Sequence, residues 1–116
     1  MTSVMMVLAR GPGEPEGNLD DRVDLHVRLT AQGALDTTAW ETGKTPWLTS
    51  RHRANKPRRD GELVKIEDGW AIRNLENDDD PLLGFSAAII RPGEIAYVTR
   101  LDGKKLIYRI VAVDSD

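Results

Sequence analysis

The densest chemistry in the sequence lies at residues 51–59, RHRANKPRR, where Arg51, Arg53, Lys56, Arg58 and Arg59 place five positive charges within nine positions. Guanidinium groups bind carboxylate or phosphate oxygens in a bidentate fork, while lysine acts as a point charge. Trp47 stands four positions upstream, where an exposed indole would stack on an unpaired base. The run admits three uses: docking on the acidic surface of a partner protein, tracking a nucleic-acid backbone with Trp47 stacking, or lying solvated as a charged loop. Docking to a partner protein through Arg51, Arg53, Lys56, Arg58, Arg59 and Trp47 is the expectation, and nucleic acid on the same residues is the alternative. A net charge of −3 argues against a wholesale polyanion binder.

Other candidates are weaker. The chain has two histidines and no cysteine, so disulfides, thiolate nucleophiles and cysteine zinc sites are ruled out. His26 and His52 have no ligand partner at helical or strand spacing, and no zinc site follows from them. Ser3, Ser50, Ser86 and Ser115 all lack the glycine neighbours of a nucleophile elbow. Asp78, Asp79 and Asp80 offer hard oxygen ligands without the alternate spacing, glycine and closing glutamate of a calcium loop, and read as a solvated turn. The loop GPGEPEGN, from Gly11, carries carboxylates where a phosphate cradle needs positive potential. Glu62, Glu67, Asp68 and Glu94 can each serve as an acid or base, and nothing ranks one above another. The expectation is a binding module, not an enzyme, with no metal and no cofactor.

These residues need elements to hold them. From Val23 to Thr30, apolar Val23, Leu25, Val27 and Leu29 alternate strictly with polar residues, the pattern of a half-buried antiparallel strand. SVMMVLA, residues 3–9, reads as a buried strand, and Gly and Pro make residues 11–18 a mobile loop. Asp36 to Thr42 reads as a short helix capped by Asp36, with Gly43 left-handed beyond it. So short a helix needs Trp40 to dock on the sheet. Residues 47–53 fit a strand and residues 54–61 an exposed basic loop, since Pro57 bars a central strand. The three tryptophans either fill the core or line a groove.

Two hairpins close the pattern. In 62–75 a three-residue loop, Glu67-Asp68-Gly69, pairs Ile66 with Trp70 and Val64 with Ile72, gathering the apolar residues on one face. In 94–113 a two-residue Asp102-Gly103 turn sets Tyr97 opposite Tyr108 and Ile95 opposite Ile110. Residues 77–81 form a charged turn. The apolar segment 82–90 fits either a short helix or a buried strand. The fold expected is α+β, mainly β: a small antiparallel meander curled into an open barrel or bent sheet, with one or two short helices.

The 116 residues match one domain by size, with residues 1–22 the part least tied to a core. The start lacks a basic segment and a long apolar run, so a cytoplasmic protein without a membrane segment is expected. The tail from Asp80 resembles the C-terminal segment of the bacterial Gre transcript-cleavage factors and the related Rnk proteins, at Pro81, Leu83, Gly84, Gly93 and Gly103. The coiled-coil arm of those factors has no counterpart, and the residues before 77 do not follow their pattern. That resemblance, over about a third of the chain, implies a polymerase-interacting or similar docking module.

Overall fold

Alternation is what builds this molecule. Val23, Leu25 and Val27 are buried while Asp24 and His26 turn outward; five of the seven other strands bury side chains at similar two-residue spacing, and the remaining two each hold a single buried residue. A computed structural model describes residues 1–76 and 82–115. Among them run β1 (Thr2–Arg10), β2 (Asn18–Val27), helix α1 (Thr37–Thr42), β3 (Trp47–His52), β4 (Arg59–Ile66), β5 (Gly69–Asn74), β6 (Leu83–Ser86), β7 (Ile95–Thr99) and β8 (Lys105–Ser115). Each strand pairs antiparallel with the next, and β1 also pairs with β8, so the expected meander closes fully into an eight-stranded barrel. Among the described residues, closure leaves no edge strand.

The bend that closure needs is visible in the ladders. Met5 faces Ala112 but Met6 faces Ile110, so Val111 is an extra residue on β8. Between β1 and β2 the register jumps from Val7–Arg22 to Leu8–Asn18, which leaves residues 19–21 outside the ladder. Such bulges sharpen local twist and re-aim side chains.

Inward-facing Val4, Met6, Leu25, Leu63, Phe85 and Ile110 fill the shaft. At one pole the β2–β3 connection lies over it. Asp36 caps α1 as expected, its Oδ1 accepting from Ala39 N–H at 3.0 Å, and Trp40 packs edge-on against Trp70 at 6.1 Å. Gly43 is not left-handed, with φ −78°. Glycine is needed there for space, because a Cβ would sit 2.7 Å from the Ala39 carbonyl oxygen.

Both hairpins differ from expectation by one residue. In the first, Ile66 pairs with Gly69, Lys65 with Trp70 and Leu63 with Ile72, so Glu67-Asp68 alone makes the turn. In the second, Tyr97 faces Ile107 and Ala96 faces Tyr108. Its loop is Leu101-Asp102-Gly103, closed by Arg100 N–H to Lys104 C=O at 2.8 Å, with Gly103 at φ 82°. The reason is steric. Tyr108 occupies the inside of a narrow barrel, and Ala96 and Val98, not Ile95 and Tyr97, leave room for it. Tyr97 lies outside beneath Lys105, its ring centroid 5.7 Å from Nζ.

Residues 83–86 are strand and the rest of 82–90 is irregular. Strand β4 begins at Arg59, so the loop expected at 54–61 ends at Arg58. The expected turn at 77–81, with Asp78, Asp79, Asp80 and Pro81, lies outside the described residues. Residues 1–22 contribute Val4, Met6 and Leu8 to the core. Among the described residues no helix is long and apolar enough to cross a membrane.

Candidate functional site

The pole away from α1 is not filled. A cavity of about 580 Å³ opens there, among the β1–β2, β3–β4 and β7–β8 connections. Strand alternation decides what faces it. Counting inward by twos from buried Trp47 gives Thr49 and Arg51, and counting back from Val23 gives Asp21. Leu8, Val23, Ile72, Val98 and Leu106 form apolar wall, and Arg53, Arg59 and Arg100 stand around the mouth with Glu14 and Asp60.

One polar cluster is set into that wall. Asp21 is 2% exposed. Its Oδ1 accepts from Arg51 Nε at 3.1 Å and from the Tyr108 hydroxyl at 3.0 Å, and its Oδ2 accepts from Arg51 Nη2 at 2.8 Å. The guanidinium and carboxylate therefore meet fork to fork. Asp21 continues the inward alternation of β2 where residues 19–21 have no β1 partner, while Arg51 and Tyr108 come from strand paired on both sides.

Charge follows geometry. Burial pulls the Arg51 guanidinium down, but its hydrogen bonds to Asp21 and the carboxylate's charge outweigh that and hold it above the ordinary arginine value. Burial pushes the Tyr108 phenol well up, and the Asp21 charge adds to the rise against the pull of Arg51. Arg53 moves the other way: burial lowers it first, then the positive charges of Arg51 and Arg59 lower it further. Three guanidinium groups thus crowd one side of the mouth, and only Arg51 is matched by a buried carboxylate. Neither Arg53 nor Arg59 forms an ion pair with a carboxylate among the described residues.

The six residues singled out from the sequence therefore divide. Arg51, Arg53 and Arg59 line the cavity. Lys56 and Arg58 are exposed outside it, with Arg58 Nε 3.1 Å from Asp60. Trp47 is a correction. It is 2% exposed and stacked on Trp70 with centroids 5.3 Å apart, so it is core and offers no face to a base. Asp21 and Tyr108 were missed as site residues. The signal for Asp21 was present in the two-residue spacing before Val23, masked by its place in an acidic run.

The histidines stay apart from this site. His26 Nδ1 lies 3.2 Å from Ser3 Oγ on the outer face, and His52 Nε2 lies 3.3 Å from Asp24 Oδ2. Among the described residues no group of three or more histidine, aspartate or glutamate side chains is placed to hold a metal ion. No protein-family model, curated protein or solved structure matches the chain.

Proposed function

We propose that the protein is a binding module and that it receives an anionic group at the arginine-lined mouth of its barrel. The observation that carries this reading is the convergence of Arg51, Arg53 and Arg59 on one cavity. Like charges held this close repel one another, and an anion between them relieves that cost. Eight-stranded barrels are wide enough inside to hold one small ligand. A binding role is favoured over catalysis because the Asp21 carboxylate is occupied by three hydrogen bonds, which leaves it poorly placed to take a proton from a reactant.

A second reading keeps the anion but places it on a partner protein, whose acidic segment would lie across exposed Lys56 and Arg58 and reach Arg59 at the rim. Nucleic acid loses support, since Trp47 is buried and only the phosphate contacts of that reading remain. A cytoplasmic location and a docking role of the kind the tail's resemblance implies belong with this second reading.

Amide chemical-shift titrations with inorganic phosphate, an acidic peptide and a short single-stranded RNA, at low and moderate salt, separate these. Shifts at Arg51, Arg53 and Arg59 with phosphate support the mouth. Shifts confined to residues 54–58 with the peptide support the partner surface. Absence of shifts with all three at low salt removes the anion reading.

A further inference from the structure

Resting on the mouth as an anion site, we propose that the ligand is an amphipathic monocarboxylate, its head between Arg53 and Arg59 and its apolar body inside the barrel against Val23, Ile72, Val98 and Leu106. Charge argues for a single negative unit. Among the described residues, four guanidinium groups and three carboxylates line the cavity, a surplus of one positive charge. The Asp21–Arg51 pair cancels itself, Asp60 accepts from Arg58 and Arg100 pairs with Asp102, which leaves Arg53 and Arg59 against Glu14, again a surplus of one. A dianion such as a phosphate monoester would meet too little compensation, and Glu14 would repel it.

The walls argue for the body. Below the arginines Val23, Ile72, Val98 and Leu106 are aliphatic, and the uncharged polar groups of the lining are those of Thr49, Ser50, Asn74 and Tyr108, whose proton already goes to Asp21. A cavity near 580 Å³ with an aliphatic wall beneath a charged rim lies in the size range of ligand pockets. Head-out orientation follows from the Asp21 carboxylate. It is buried and its guanidinium partner Arg51 is committed to it, so an anion driven past Arg53 and Arg59 would face it without a free guanidinium.

The wall is also tightly packed at Gly61. Gly61 faces Thr49 across β3 and β4, and both line the cavity. A Cβ on residue 61 would lie 2.8 Å from Thr49 Oγ1, so any side chain there would press on the wall.

The test uses the full chain with methyl and arginine side-chain labels, titrated separately with acetate, hexanoate, decanoate, decanol and inorganic phosphate below any micelle concentration. Affinity should rise about fourfold per methylene along the carboxylate series until the cavity is full. Methyl signals of Val23, Ile72, Val98 and Leu106 should move together with the Arg53 and Arg59 side-chain signals. The double variant Arg53→Gln/Arg59→Gln should weaken decanoate binding about tenfold or more, with its methyl spectrum unchanged in the absence of ligand. Equal binding of acetate, phosphate and decanoate with still methyl signals overturns the amphipathic ligand and leaves the anion site standing. Decanol binding as tightly as decanoate, indifferent to the double variant, overturns the head assignment. No shift with any anion overturns this proposal and the mouth reading together.

Discussion

The Tyr108 hydroxyl donates to Asp21 Oδ1 at 3.0 Å across 87 positions of sequence, and that same oxygen accepts Arg51 Nε at 3.1 Å. One carboxylate thus ties the start of β2 to β3 and β8 inside a barrel wall. Asp21→Asn keeps the shape and removes the charge, leaving Arg51 partly buried beside a neutral amide. Urea denaturation should show a loss of about 2–4 kcal/mol, and adding Arg51→Met should recover part of it. A variant as stable as the parent would show that the pair contributes nothing net.

Tyr108 makes stability fall in alkali. Its folded-state value is raised above the ordinary 10.0 of a free phenol, so folding favours the neutral form. That contribution is complete below pH 10 and is lost as pH climbs toward the folded value. Tyr108→Phe should cost about 1 kcal/mol near neutrality, from the lost hydrogen bond. Above pH 10 the gap between parent and variant should narrow. A gap that stays constant from neutral pH into strong alkali would refute the linkage.

Gly103 occupies φ 82° with no atom within 4 Å of an added Cβ, so substitution there meets only backbone strain. Gly103→Val should destabilise by about 1 kcal/mol or more, and Gly103→Asn by clearly less, because asparagine tolerates the left-handed region. Thermal melts of the two variants side by side decide it. Equal melting points would contradict the three-residue loop.

Trp47 distinguishes core from surface. Trp47→Ala should cost about 3–5 kcal/mol as a buried aromatic, whereas an exposed stacking platform would cost within about 0.5 kcal/mol. Near-ultraviolet circular dichroism should also lose the signature of the Trp47–Trp70 stack. A small stability change with that signature intact would return Trp47 to the surface.

The short-range grammar of this chain was legible. Strict alternation marked Val23 to Val27, Asp36 marked the helix start, and Asp-Gly pairs marked both hairpins. Register was not, because β7 turns its larger side chains outward: Ile95 and Tyr97 look like core, yet Ala96 and Val98 are what Tyr108 leaves room for. Closure was hidden for a related reason. SVMMVLA is apolar on both faces, so its period cannot be read, and its second partner lies about a hundred residues away. The site was half legible. Clustered arginines were plain, but which of them point inward depends on strand β3, where WLTSRH alternates too weakly to tell.

Closure of β1 against β8 sets Thr2 beside Ser115, at the pole covered by α1 and away from Arg51, Arg53 and Arg59. An affinity tag, a fluorophore or a neighbouring domain attached at either terminus would therefore hang from the back of the barrel. A sensor surface coupled through such a tag would leave the mouth facing solution. A short linker joining the two termini would give a circular permutant whose new ends can be cut beside Lys56 to vary the rim alone.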